Sequence, residues 1–354
     1  MATTSYGTNA PEAVKLWSKR LSHEVLKSCW ASRFMGTSAS SIIQIKDETQ
    51  KSAGDKITYA LRMQLTGRGV RGDSTLTGNQ EALTTYTDSV TVDQLRHGVS
   101  AGGRMSQQRV PFSTREEAMS GLRDWWTDRI DTSWLNQMCG YTAQTDTHYT
   151  GLQAAVAPDS NHIVRTLSNE AADQSVSTTS LFTLTMIDRA VERARTLTPG
   201  IRPIMIGGKP HYATFLHPYQ VHDMRTTTTT GQWLDIQKAV AQGGEIDDNP
   251  IFDGSLGVYN GCILHSDHRV TNGVSSADTS AVTAVKRAVF CGAQAVMMGF
   301  GRDNGPERFT WVEELTDFEN ELDVAAGMIF GMKKTVYNSV DYATIVLSTY
   351  GAAH

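Results

Sequence analysis

A glycine-rich stretch is the first candidate for chemistry in the sequence. Gly67, Gly69 and Gly72 form a GxGxxG pattern directly after a predicted strand, which is the first half of a dinucleotide-binding fingerprint. The second half requires a helix whose N-terminus receives the pyrophosphate. Because the residues that follow, DSTLTGNQ, are poor helix formers, the pattern predicts no nucleotide cofactor.

A second pattern matches the nucleophile elbow of serine hydrolases. Gly98, Ser100 and Gly102 form GxSxG, which places the serine on a sharp turn between a strand and a helix. Gly103 and Arg104 follow, and we expect no helix there. A hydrolase that uses Ser100 is therefore the weaker hypothesis, and a serine in a glycine-rich strand turn is the stronger one.

Metal ligands are present but poorly arranged. His265, Asp267 and His268 could place two imidazoles and a carboxylate at the end of a strand, as in some metal sites. Short spacing of this kind is common in surface turns, so we interpret these residues as a surface turn. The four cysteines lie far apart without a CxxC pair, so neither a zinc site nor a redox motif is indicated. We predict no catalytic, cofactor or metal site.

Six acidic residues occupy eleven consecutive positions near the end of the chain: Glu313, Glu314, Asp317, Glu319, Glu321 and Asp323. Catalysis by paired carboxylates needs a pocket that separates their pKa values, so we expect an exposed acidic strip instead. Residues 1–112 hold 14 Lys and Arg against 9 Asp and Glu. This basic part of a neighbouring copy is a candidate partner for the strip, although the uneven charge is equally compatible with two solvated surfaces.

The composition excludes several classes of protein. A net charge of −5 over 354 residues disfavours a dedicated nucleic-acid binder, which usually needs a concentrated basic surface. The N-terminus lacks a signal pattern and no apolar run is long enough to span a bilayer. We therefore expect a protein that is made in a reducing cytosol and has no membrane partner.

An amphipathic helix is predicted from Pro11, since Trp17, Leu21 and Val25 recur at helical spacing. Its apolar face is expected either against a neighbouring subunit, which makes Trp17 and Leu21 candidate inter-subunit contacts, or within its own lobe. Residues 41–110 then form a predicted β-hairpin excursion. Because an isolated two-stranded hairpin is marginally stable, it needs a surface to lie on.

A long helix is predicted between Ser113 and Gly140, with Glu116 and Glu117 in its first turn, where the helix dipole favours acids. The second half of the chain alternates helices and strands, including a helix over residues 231–244 and a loop around Thr226–Thr230. The class is therefore α+β with a mixed sheet.

The order of these elements resembles the major capsid proteins of tailed double-stranded DNA phages, in particular the coat family of large podophages. The resemblance covers nearly the whole chain and is carried by residues 54–83, 85–99, 109–131 and 249–265. It implies the tailed-phage major capsid (Johnson) fold. The implied parts are an N-terminal arm (1–35), an extended β-hairpin loop (36–112), a peripheral domain (113–176) with spine helix 114–139, an axial domain (177–300) and a return to the peripheral domain (301–354).

The resemblance also implies a function: a non-enzymatic subunit that assembles into an icosahedral shell around the phage double-stranded DNA. Its expected partners are further copies of itself in hexamers and pentamers, a portal protein, a separate scaffolding protein, a decoration protein, and packaged DNA contacted nonspecifically. It would be assembled in the host cytoplasm and reside in the virion. The alternative is a cellular nanocompartment shell of the same fold.

The tip of the extended loop is the predicted contact between subunits. Arg68, Arg71 and Asp73 lie among glycines, and we expect the arginines to meet Glu116 and Glu117 of a neighbour. Solvated arginines without a partner are the alternative. We predict no covalent cross-link between subunits, although the loop contains lysines at Lys46, Lys51 and Lys56.

Overall fold

A computed structural model describes residues 11–46, 55–62, 65, 67–83, 85–167, 169–226, 255–301 and 308–353. Its helices are α1 (Pro11–Ser28), α2 (Arg104–Arg109), α3 (Thr114–Met138), α4 (Thr147–Thr150), α5 (Leu184–Thr196) and α6 (Pro218–Thr226), with 3-10 turns at Trp30–Phe34 and Asp173–Ser175. None of the described helices is long and apolar enough to cross a membrane.

The strands of the described chain are β1 (Met35–Gly36), β2 (Ile43–Lys46), β3 (Lys56–Arg62), β4 (Thr85–Thr91), β5 (Asp93–Gly103), β6 (Ile163–Arg165), β7 (Ile204–Ile206), β8 (Lys209–Leu216), β9 (Gly257–Tyr259), β10 (Cys262–Ser266), β11 (Asn272–Val274), β12 (Ala281–Cys291), β13 (Val296–Phe300), β14 (Thr310–Thr316), β15 (Glu321–Lys334), β16 (Val336–Tyr337), β17 (Val340–Asp341) and β18 (Thr344–Tyr350).

The first sheet is built around the long strand β15. Strands β13 and β14 pair along one of its edges and β5 along the other, while β2 and β1 extend the sheet beyond β13. Helix α3 packs across β15 and β5. This sheet and its helix form the body from which the β3–β4 hairpin projects.

Helix α3 begins and ends where the sequence predicts. The Ser113 hydroxyl accepts a hydrogen bond of 3.4 Å from the Glu116 N–H, and Gly140 follows the helix with a φ of 60°. A Cβ at Gly140 would lie 2.7 Å from the Val156 carbonyl oxygen, so only glycine fits. Trp126 and Trp134 are fully buried on the inner face, and burial of each stabilises the fold by about 2 to 3 kcal/mol.

The second sheet has the order β6-β18-β12-β8-β10-β9, with β11 beside β12 and β7 beside β8. Strand β18 pairs antiparallel with β12 and parallel with β6, so the end of the chain enters the second sheet. Residues 344–349 are buried without interruption, as suits a strand covered on both faces. Strand β13, by contrast, lies in the first sheet, between β2 and β15.

Two predicted strands are each divided in the structure. The stretch SVTVDQLRHGV is broken at Val92 between β4 and β5. The stretch LGVYNGCILH turns back at Asn260 and Gly261, whose φ values of 48° and 73° fit a two-residue hairpin turn. The helix predicted over 231–244 and nearly all of the loop predicted around 226–230 lie outside the described residues.

Candidate assembly interface

The base of the β3–β4 hairpin is fastened to its own subunit. The strands pair antiparallel from Lys56 opposite Thr91 to Arg62 opposite Thr85. On one face of β3, Ile57, Tyr59 and Leu61 are buried within the subunit. The base of the hairpin therefore lies on the first sheet of its own subunit, which supplies the surface that the sequence analysis required.

Asp88 on β4 fixes this base. Its carboxylate forms an ion pair with Lys333 of β15 and accepts hydrogen bonds from the Tyr59 hydroxyl at 2.9 Å and the Val336 N–H at 3.2 Å. Burial, and then the negative charge of Asp88, raise the pKa of Tyr59. The phenol therefore stays protonated and remains a donor to Asp88.

The hairpin base also needs a glycine beneath it. A Cβ at Gly331 of β15 would lie 2.1 Å from the carbonyl oxygen of Thr91, a distance that no side chain tolerates. The glycine lets the end of β4 lie directly on β15.

The tip of the hairpin is exposed to solvent, whereas its base is buried against the first sheet. Residue 65 and residues 67–83 are exposed, apart from a half-buried Val70. The side chains of Arg68, Arg71 and Asp73 form no hydrogen bond or ion pair with any other described residue. The N–H of Gly67 donates to Glu81 Oε2 at 2.6 Å, so the tip is closed on itself and extends into solvent.

The predicted acceptors, Glu116 and Glu117, lie exposed at the N-terminus of α3. Within the described part of one chain the structure does not pair them with Arg68 or Arg71. A contact between these two groups would therefore join different copies.

Helix α1 packs on its own subunit, against α3 and β14. Leu21 is fully buried there, so it packs within its own subunit, which is the second of the two expectations for this helix. Trp17 is half-buried, and its ring stacks on Trp311 with centroids 5.8 Å apart. Arg20 and Arg115 lie 5.6 and 5.5 Å from the Trp17 ring, which is within cation–π range.

The acidic strip is not uniformly exposed, as we expected it to be. Glu313 is buried, forms an ion pair with Arg115 of α3 and accepts a hydrogen bond of 2.8 Å from Trp311 Nε1. The reason is the alternation of β14, whose Trp311 and Glu313 face the helices while Val312 and Glu314 face outward. The other acids lie around the β14–β15 turn.

Asp131 of α3 was not anticipated. Its buried carboxylate accepts hydrogen bonds from the N–H groups of Ala31 and Trp30 and from Cys29 Sγ, and Arg269 Nη1 lies 3.6 Å away. Burial raises the pKa of Asp131, while these donors and Arg269 oppose that rise. The sequence did offer one signal for this site: Asp131 is an acidic residue among the buried apolar residues of α3.

Ser100 does not lie on a nucleophile elbow. It lies within β5, opposite Asp323 of β15, and its hydroxyl accepts a hydrogen bond of 3.4 Å from the Gly102 N–H. The expectation that no helix follows is wrong, because α2 begins at Arg104. Ser100 itself lies inside β5, paired with β15, and not at the junction between β5 and α2.

The surface turn predicted for His265 is also wrong. This residue is fully buried in β10, and its ring stacks on Phe215 at 5.6 Å and packs against Phe34 at 5.1 Å. His268 is exposed. Among the described residues no group of three or more His, Cys, Asp or Glu side chains is arranged to hold a metal ion, and no helix follows the GxGxxG pattern within residues 73–83.

Comparison with known proteins decides the family. The chain matches the phage capsid protein family over residues 3–353. It belongs to that family.

Individual members of the phage capsid family show the same relationship. The chain is 25% identical to the major capsid protein of Pseudomonas phage KPP25, covering 95% of this chain and 93% of that protein. Its fold matches the capsid of Ralstonia phage GP4 with a TM-score of 0.81 at 33% identity over 99% of each chain. The capsid of cyanophage Pam1 matches with a TM-score of 0.70 at 17% identity, over 93% of this chain and 94% of that one.

This phage capsid protein is therefore a major capsid protein with the tailed-phage capsid fold, and it forms the shell of a virion by self-association. A cellular nanocompartment is not favoured. The family is a structural one, and the GxSxG and GxGxxG patterns are features of a shell subunit.

Proposed function

We propose that this capsid protein encloses the double-stranded DNA of its phage in an icosahedral shell of hexamers and pentamers, without catalysis of its own. The net charge of −5 supports weak, nonspecific contact with packaged DNA. A portal protein, a separate scaffolding protein and a decoration protein are its proposed partners, and the host cytoplasm is the proposed place of assembly.

We further propose that the tip of the β3–β4 hairpin joins neighbouring subunits. The observation that carries this proposal is the contrast along the hairpin: its base is tied to β15 by the ion pair of Asp88 with Lys333, whereas residues 67–83 extend into solvent. Residues 67–83 contain turns and no strand, and an exposed segment with few buried contacts has little to hold it in one conformation. A neighbouring copy supplies the surface on which it is ordered.

Complementary charge identifies the surface of the neighbouring copy that the tip contacts. Arg68 and Arg71 are exposed cations, and Glu116 and Glu117 are exposed anions at the N-terminus of α3. One exposed ion pair contributes only about 0 to 1 kcal/mol. In a closed shell the contact recurs in every subunit, and each subunit is held by several neighbours at once, so small contributions decide assembly.

The test is the double reversal Arg68→Glu with Arg71→Glu. We expect a folded subunit, because the tip adds little to its own core, and shells that fail to form or become salt-sensitive. Adding Glu116→Arg and Glu117→Arg to the same chain should restore assembly. Lys19→Glu with Lys27→Glu, on exposed positions of α1, makes the same change in net charge and serves as the control.

Circular dichroism and particle yield by electron microscopy are the two measurements. Normal shells at normal yield from the loop variant would refute the contact. If the loop variant failed to fold, the claim that the tip contributes little to the core of its own subunit would be refuted.

A further inference from the structure

The turn between β14 and β15 displays an aromatic side chain to solvent. Phe318 is 104% exposed, although a phenylalanine is ordinarily at least partly covered. Exposed carboxylates lie on both sides of it, at Asp317 and Glu319. An exposed aromatic ring with a charged rim is the arrangement found at the centre of protein–protein contacts.

The turn is held rigidly. The N–H of Asn320 donates to the Asp317 carbonyl oxygen at 3.0 Å, and Asn320 Nδ2 donates to Asp317 Oδ2 at 3.2 Å. Asp317, Phe318 and Glu319 have φ values of 50°, 52° and 65°, so three consecutive non-glycine residues adopt the left-handed conformation. The backbone that carries Phe318 is thus held in a defined turn, which lowers the entropy lost when the turn binds.

A basic helix adjoins this acidic turn. The N–H of Arg104, the first residue of α2, donates to the Asn320 carbonyl oxygen at 3.1 Å. Arg104 and Arg109 are exposed, as is Met105, at 62%. In the described part of the chain neither arginine has an ion-pair partner, and neither does Glu319.

Opposite charges therefore lie side by side on the surface of the subunit, each beside an exposed apolar side chain. A surface of this kind is self-complementary: when two copies meet, the acidic turn of one can face the basic helix of the other. A partner of a single charge would be repelled by half of the patch.

We infer that the β14–β15 turn and helix α2 form a second contact between copies of this chain, with Phe318 of one copy against Met105 of the next and Asp317 and Glu319 against Arg104 and Arg109. The inference rests on the self-association of capsid proteins. It is independent of the Arg68 and Arg71 contact, because it uses none of the same residues.

The test is a charge exchange. Asp317→Lys with Glu319→Lys makes both patches basic, and Arg104→Glu with Arg109→Glu makes both acidic. Each double variant should lower particle yield by at least about tenfold, since like charges then face each other across the contact. The chain that carries all four changes should recover the yield, because the complementarity is restored with the signs exchanged.

A single substitution tests the aromatic anchor. Phe318→Asn removes the ring and places a residue that tolerates the left-handed conformation, whereas Phe318→Tyr keeps the ring. The asparagine variant should assemble at least about tenfold less well, as expected for loss of a central aromatic anchor, and the tyrosine variant normally. Circular dichroism of unassembled subunits checks the fold.

Normal yields from both double variants would overturn the inference, and so would low yields that the fourfold exchange does not restore. Either result would leave the loop-tip proposal standing, because Arg68, Arg71, Glu116 and Glu117 are unchanged in every variant.

Discussion

Asp131 of α3 accepts a hydrogen bond of 2.9 Å from the backbone N–H of Ala31. Through this bond and those from Trp30 and Cys29, the segment that follows α1 is joined to the long helix α3 of the same subunit.

The first prediction concerns Asp131. Asp131→Ala leaves the N–H groups of Trp30 and Ala31 without this acceptor in a buried place, and should lower the free energy of unfolding by about 2 to 4 kcal/mol. Asp128→Ala, on the same helix, removes the ion pair between the exposed Asp128 carboxylate and the half-buried Arg269 and should cost less than about 1 kcal/mol. Urea denaturation of unassembled subunits measures both, and equal losses would contradict the role of Asp131.

A second prediction concerns the ion pair of Arg115 and Glu313. Arg115→Ala removes the guanidinium beside a buried carboxylate, and should lower the free energy of unfolding by about 3 kcal/mol, since breaking a buried pair leaves a poorly compensated charge. Adding Glu313→Gln should recover part of the loss, because the charge is then gone. A double variant less stable than Arg115→Ala would show that the carboxylate is held mainly by other groups.

The third prediction concerns pH. Although burial alone would raise it, the guanidiniums of Arg287 and Arg165 and the Val274 N–H hold the pKa of Asp173 below its ordinary 3.8. The unfolded chain therefore takes up this proton at a higher pH than the folded one. The stability from Asp173 is present above about pH 4 and is lost as the pH falls through the lower pKa of the folded state.

The matched variant is Asp173→Asn, which cannot titrate. Its deficit in the free energy of unfolding should be largest near pH 7 and shrink below pH 4, as followed by thermal or urea unfolding across that range. A deficit that does not change with pH would show that the ionisation of Asp173 is not what stabilises the fold.

Local sequence patterns predict the long elements of the described chain, such as α3, but not which distant elements pack against them. The spacing of Trp126 and Trp134, with Ser113 before them and Gly140 after, predicts α3 because cap, stripe and stop all act within one helix. The buried state of Glu313 depends instead on a helix almost two hundred positions earlier in the sequence, and that of His265 on aromatic residues of distant elements. Such pairings are not encoded in any short window.

The place of β18 illustrates the same limit. An alternating or apolar strand pattern does not say which strands will be its neighbours, so Thr344–Tyr350 could be recognised as a strand while its pairing with β12 and β6 could not be predicted. Contacts between copies are harder still to predict from the sequence, because they depend on the folded surfaces of two chains. Arg68 could be proposed as a contact only because its glycine-rich surroundings offer it no core.

The fourth prediction is that the shells are noncovalent. Lys46 is half-buried in β2 and Lys56 is exposed at the start of β3, while Lys51 lies outside the described residues. No sequence motif designates an asparagine or glutamate partner for any of them. Boiling in detergent should therefore release single chains of 38.7 kDa on a denaturing gel, and a ladder of multimers would contradict the prediction.

Assembly of the purified chain is the most direct measurement of its function. Static light scattering and electron microscopy at high micromolar concentration should show capsomers, sheets or closed shells, because exposed surfaces of complementary charge are repeated on every copy. A strictly monomeric species under these conditions would contradict a subunit that builds its shell by self-association.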